Sequence, residues 1–432
     1  MLINFAVMNL KPALLTFFGL IVILVQLSAQ QAPAVKEFNS VDSALVAPLE
    51  VKHLNLTGQN LASFPLDILK LKNLEVLNLS SNQIPLIPAN IQQLTNLKEI
   101  NLGENPSMKW NKTLENLAGC KNLIKLGLYA NELEKLPVSL AKLQQLTSLE
   151  VYNNKFEIFP EVILSLTNLE NLDIHYNHIA SLPVSINRLK KLRNLDVTEN
   201  QLTTLPASVS GLDSLRTLNL TWNRFTAFPL QTLAIPHLRS LNLQKNKLGV
   251  IPAEAGNFSM LEELNLEETG IRSIPNEIGR IKSLKTLNLN HNNIENTSDL
   301  ILKLSQIGNF ENLTLFHCGL TSLPDNINLL THLRRLEVHE NELTRLPPSI
   351  YTMKELRVLV LWQTGLNDIS NEIQNLSQLE VLVLGNNNLD KMPESITTLK
   401  KLVYLDLWNN NLSQESIDNL RKAMPWTYVS LE

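Results

Sequence analysis

The sequence predicts an α/β repeat solenoid, a stack of short parallel strands joined by turns, and two observations predict it. First, the stretch Leu123 to Pro137, LIKLGLYANELEKLP, returns 23 residues later at Leu146 as LTSLEVYNNKFEIFP, then again at Leu169, Leu192 and Leu215. A fixed period of that size marks a stacked array. Second, the apolar residues inside each unit follow strand spacing before turning back. Leu126 and Leu128 are two apart and share one face, while Gly127 and Tyr129 point the other way. Asn131 ends the strand, where its amide can donate to carbonyls of the turn, so Asn rungs can stack from coil to coil. Leu133 and Leu136 re-enter the core and Pro137 opens the return segment. One such coil cannot bury its own leucines, and a stack can.

The chain opens on a leader. Residues 1–29 carry one charge, Lys11, followed by an apolar run from Ala13 to Leu27 and the small-residue exit LSAQQAP. This is the layout of a signal peptide cleaved after Ala29, and the run is short of the roughly 20 residues a membrane span needs. Residues 30–50 form an N-terminal cap, in which Ser40 to Leu45 reads as a short helix with Ser40 or Asn39 at its N-cap. It is expected to cover the open edge of the first coil.

Sixteen coils fill residues 51–412. They open at Val51, Leu74, Leu97, Leu123, Leu146, Leu169, Leu192, Leu215, Leu238, Leu261, Leu284, Phe310, Leu333, Leu356, Leu379 and Leu402. Every step is 23 residues except two of 26, before Leu123 and Phe310. Both longer coils lack the proline, so fuller helical turns are expected at Leu114 to Gly119 and Asp299 to Ile307. Asn fills the rung except at Gln59, Thr269, Cys318 and Thr364. Residues 413–432 close the array with a Ser413-capped helix to about Ala423, a proline stop and a last strand from Trp426 to Val429. Caps at both ends imply that the array is the whole mature protein.

This LxxLxLxxNxLxxLPxxI pattern resembles the leucine-rich repeat family over residues 51–412. It is similar to secreted bacterial members, and also to the Ras-group intracellular proteins and the Erbin/Scribble scaffolds. The resemblance implies a horseshoe with a concave parallel sheet and an irregular, 3-10 or helical convex side. It also implies a protein or peptide partner on the concave face. With the leader, the chain reads as a secreted, surface or periplasmic bacterial binding module with no membrane span after cleavage. An intracellular signalling scaffold is the alternative if the leader is not a signal. The resemblance would also suggest disulfide-bonded end caps, but Cys120 and Cys318 are the two cysteines. They lie about eight coils apart, roughly 38 Å at strand spacing, too far to pair.

Two zones of outward residues depart from the Asn that fills the fifth position of seven coils, from Asn55 to Asn288. In the first, Glu150, Asp173 and Asp196 form an acidic ladder in successive coils, and like charges across a sheet repel. Tyr129, Tyr152 and His175 run beside it, with Tyr176 and Trp222 one position on. Aromatic faces beside carboxylates suit a cationic, partly apolar ligand. Lys125, Lys155 and His178 are the cations expected to ease the ladder otherwise. The second zone places Phe316, Val358, Val360, Trp362, Val381, Val383, Tyr404 and Trp408 outward, an apolar set that a soluble chain rarely leaves exposed without a partner. Trp426 and Tyr428 of the closing cap are the segment able to cover Trp408. Of the five Trp and six Tyr, seven lie on the outward strand positions, as interface anchors do.

Other chemistry is not indicated. His291, His317 and His339 fall on three successive coils near Glu337 and Glu340, yet they read as polar residues on a wet ladder, with His339 kept as a partner contact, and no metal or cofactor is assigned. The carboxylate ladder is not assigned to calcium either. No phosphate-cradling glycine loop, Gly-x-Ser-x-Gly or HExxH is present, so no enzymatic activity is expected. A formal charge of −4 without a Lys/Arg run argues against nucleic acid.

Overall fold

The computed structural model describes residues 36–431, so the leader lies outside the described residues. Eighteen strands form one parallel sheet in which each pairs with the next along the chain. Strand β2 (His53–Asn55) begins the coils and β17 (Tyr404–Asp406) ends them. Their register steps by one coil each time: Leu126 on β5 (Lys125–Gly127) faces Leu149 on β6 (Ser148–Glu150), which faces Leu172 on β7 (Asn171–Asp173).

The core sits between this sheet and the returning turns. Leu123, Leu126 and Leu128 are fully buried, as are their equivalents in neighbouring coils. Each buried leucine stabilises the stack by about 1.5–3 kcal/mol. The return segments are mostly one 3-10 turn following a proline, for example Val138–Lys142 after Pro137. The two 26-residue coils carry α-helices, α2 (Trp110–Leu117) and α3 (Thr297–Leu304), after the short α1 (Val41–Leu45) of the opening cap. Both begin earlier than the sequence suggested. α2 starts at Trp110, which is buried, without a side-chain cap, and Asn296 accepts from the Asp299 N–H to start α3.

The rung asparagines tie coil to coil. Asn154 donates to the carbonyls of Leu128 and Val151, and its Oδ1 accepts from the N–H of Asn131 and Leu133. Cys318 takes the rung with its thiol directed at Leu289 O, 3.2 Å away. Burial pushes this thiol up to about 12 and that of Cys120 up to about 11. Both cysteines are free.

At the opening edge the covering is a strand as well as a helix. Strand β1 (Glu37–Phe38) pairs with β2, and Ser40 caps α1 by accepting from the Ser43 N–H. At the other end α4 (Gln414–Ala423) is capped by Ser413, and β18 (Tyr428–Ser430) pairs with β17. The last strand therefore starts two residues later than expected. Trp426 instead donates its indole N–H to Leu399 O, with Lys400 over its ring.

Candidate functional site on the concave face

The first zone is assembled by β5 to β9, with β8 at Asn194–Asp196 and β9 at Thr217–Asn219. Strand register sets Glu150 beside Asp173 and Asp173 beside Asp196. Tyr129 stacks on Tyr152 at 4.5 Å between centroids, and Tyr152 on His175 at 4.4 Å, both nearly parallel. The column leans on Gly103, where a Cβ would run into the Tyr129 ring. Asn101 fixes its end by donating to the Tyr129 hydroxyl at 2.9 Å.

The ladder is neutralised differently from the sequence reading. Lys125 pairs with Glu150 at 2.8 Å, but Lys155 pairs with Glu132 instead, and His178 is exposed without an ion pair to the ladder. His175 Nδ1 lies 2.5 Å from Asp173 Oδ1. Burial pulls the imidazole down, but Asp173, with Asp196 and Glu199 behind it, outweighs that and raises its pKa. Burial raises the Tyr152 hydroxyl, with Tyr129 and the carboxylates adding to the shift. A shallow groove of about 310 Å³ runs over Ser148, Asp173, Asn194 and Asp196.

Tyr176 and Trp222 leave the sheet edge differently. The residue before each rung from coil two onward has positive φ, including Tyr176 at 50° and Trp222 at 52°. Two bulky side chains are thus held in a backbone conformation that costs about 1 kcal/mol or more. They stay 52% and 48% exposed.

The second zone is not the open apolar patch its sequence suggests. Val360, Val381 and Val383 are 1%, 9% and 3% exposed. They form a small cluster of their own on β15 (Val358–Val360) and β16 (Val381–Val383), covered by Val358, Trp362 and Tyr404. Branched side chains on in-register strands cover one another, and Trp362 leans over Gly385, where a Cβ would meet its ring. Val360 and Val383 are therefore a floor, and Val358, Trp362, Tyr404 and Trp408 form the surface. Tyr428 stacks beside Tyr404 at 5.9 Å, while the Trp426 indole N–H donates to Leu399 O.

Phe316 and His339 continue this zone as a parallel stack at 4.3 Å, with the rings of His291 and His317 packed about Phe316. Burial pushes His339 down to about 4, Arg335 and His291 adding, and its Nδ1 has no hydrogen-bond partner among the described residues. Among the described residues no group of three or more His, Cys, Asp or Glu is placed to hold a metal ion.

The coil pattern itself decides the family. A leucine rich repeat family model matches residues 50–106, 167–225, 236–294 and 354–412, more than half of the chain. The chain belongs to the leucine-rich repeat family. Among solved leucine-rich repeat structures, one from Leptospira interrogans is 33% identical over 92% of this chain and 100% of that one, with a TM-score of 0.75. The ectodomain of the Arabidopsis thaliana receptor kinase GASSHO1/SCHENGEN3, solved with CASPARIAN STRIP INTEGRITY FACTOR 2, is 26% identical. That match covers 88% of this chain and 56% of that one, with a TM-score of 0.52. TLR13, solved with ssRNA13, shares the fold at 22% identity and a TM-score of 0.62, covering 91% of this chain and 68% of that one. No curated protein sequence matches.

Two features of this leucine-rich repeat site escaped the sequence reading. The fifth-position Asn is not filler: Asn101 Oδ1 accepts from the Gly103 N–H and Asn219 Oδ1 from the Thr221 N–H, closing each strand. Asp196 does the same for Thr198, so the aspartates keep the turn while adding charge. The other feature is the pair Gly103 and Gly385, each the seat of a neighbouring aromatic ring. A glycine next to an aromatic residue in the seventh column was the available signal, Gly103 before Tyr129 and Gly385 after Trp362.

Proposed function

We propose that this leucine-rich repeat chain is a secreted or cell-surface bacterial module that recognises a protein or peptide through its concave face. The observation that carries the reading is the Tyr129–Tyr152–His175 stack, a rigid aromatic wall beside Glu150, Asp173 and Asp196. Rigid aromatic surface is gained by a partner at low entropic cost, and the adjacent carboxylates favour a basic segment. Trp362, Tyr404 and Trp408 supply a second, apolar contact. The plant receptor ectodomain solved with its partner supports the class of role, as does the binding-scaffold character of the fold. Export rests on the leader at residues 1–29, and among the described residues no helix is long and apolar enough to cross a membrane. An intracellular scaffold is the second reading, favoured by two cysteines that are both free.

The test is capture from surface and extracellular extracts by the immobilised chain, with two variants beside it. Tyr152→Ala/Trp362→Ala removes both aromatic contacts. Asp173→Asn/Asp196→Asn removes charge while keeping the strand-closing acceptors. A protein held by the wild type and lost from both variants supports concave-face recognition of a basic partner, and equal capture by all three overturns it. Amino-terminal sequencing of the native protein tests export: a start near Gln30 supports it and excludes the intracellular reading, and a retained leader overturns cleavage.

A further inference from the structure

Beyond the concave face, the ends of β7, β8 and β9 border a cleft of about 670 Å³ whose lining includes Tyr176, Glu199, Trp222, Lys155 and Arg224. Tyr176, Glu199 and Trp222 are the eighth residues of three successive coils, with φ of 50°, 49° and 52°. Their side chains therefore leave the sheet edge in sequence, aromatic, carboxylate, aromatic. At about 4.8 Å per coil the two residues stand roughly 10 Å apart along the sheet edge, so a group midway is about 5 Å from each position. That is within the reach of about 6 Å over which a ring face attracts a cation.

Trp222 and Glu199 are two lining groups suited to a cation. Trp222 already holds one: Lys245 Nζ sits 4.3 Å from its ring centroid. Lys245 belongs to the following coil and Glu199 to the preceding one. Glu199 lies close enough to the Tyr176 hydroxyl to raise the phenol pKa. Lys155 is neutralised by Glu132 at 2.8 Å, which leaves Arg224 as the opposing charge in the cleft.

We propose that this cleft binds an alkylammonium group between Tyr176 and Trp222, over Glu199. The group is either a quaternary amine or the head of a lysine side chain; only in the second case does the inference rest on the protein-binding reading above. The experiment is calorimetric titration of the full chain at constant ionic strength with tetramethylammonium chloride, and separately with Nα-acetyl-lysine methylamide. Saturable binding is expected, lost in Trp222→Leu and weakened about tenfold or more in Glu199→Gln. Lys245→Ala, which frees the second indole face, binds at least as well. No saturation with either probe, or equal affinity in wild type, Trp222→Leu and Glu199→Gln, overturns the proposal. Tighter binding of the lysine compound assigns the cleft to a partner's side chain, and tighter binding of tetramethylammonium assigns it to a free amine. Partner capture that survives Trp222→Leu and Glu199→Gln, with no ammonium binding, removes the cleft but leaves the concave-face reading standing. Ammonium binding without any captured partner does the reverse.

Discussion

At the residue scale, the fifth position of each coil joins two properties that substitution can separate. Its side-chain oxygen closes the strand, and its charge is optional. Asp406 makes the separation measurable. Its carboxylate accepts from the Trp408 N–H at 3.0 Å, yet burial beside the valine cluster pushes it up to about 6, against an ordinary 3.8. A carboxyl group whose folded pKa is raised costs stability above that pKa and costs nothing below the unfolded value. The shift of about 2 units corresponds to about 3 kcal/mol at most. Asp406→Asn restores the residue that the repeat uses elsewhere, so it should stabilise the chain at pH 7.5. The gain should shrink as pH falls through 6 and vanish below 4, as read from urea midpoints across pH. A second titration reports on the acidic ladder. Asp173→Asn should lower the pKa of His175, seen by imidazole NMR, because the Asp173 carboxylate is the largest of the influences that raise it. The wild-type pair contributes stability below the ordinary imidazole value and loses it as pH rises through the raised one.

At the scale of the single coil, the rung amide is the joint. Asn200 donates to Ile174 O and Val197 O at 3.1 Å and accepts from the Ile179 N–H at 2.9 Å. Asn200→Ala leaves those buried groups without partners and should cost about 2–4 kcal/mol. Hydrogen exchange should show the loss in the coils either side of residue 200, not along the whole array. This joint was legible in the sequence because spacing alone forces it: a period of 23 and leucines two apart leave one place for a strand and one for a rung. The concave surface was less legible. Outward alternation says which way Val360 and Val383 point, but not that Trp362 leans over Gly385 and that neighbouring rungs cover them. Ion pairing failed for a related reason: Lys155 is near the ladder in sequence, yet Glu132 in the coil before it is nearer in space. Tyr152 likewise reads as a free surface ring, but it is clamped between Tyr129 and His175, so its removal should lower the melting temperature as well as binding.

For the whole molecule, stability is a chain of neighbour terms, and the caps determine what happens at its ends. Strand β18 pairs with β17, Tyr404 opposite Tyr428 and Leu405 opposite Val429, and Met424 is fully buried behind them. A chain ending at Leu412 loses all three contributions. It exposes a row of unpaired backbone groups on β17 together with Leu405 and Leu407, an edge that a second copy can pair with. The truncated chain should therefore self-associate, its light-scattering mass rising with concentration, while hydrogen exchange in the first ten coils stays as in the full chain. If the first coils lose protection too, coupling extends further than nearest neighbours and the array folds as one unit. If the mass stays monomeric, the short three-residue edge of β17 is insufficient for pairing, and the cap serves to cover leucines rather than to block strand addition.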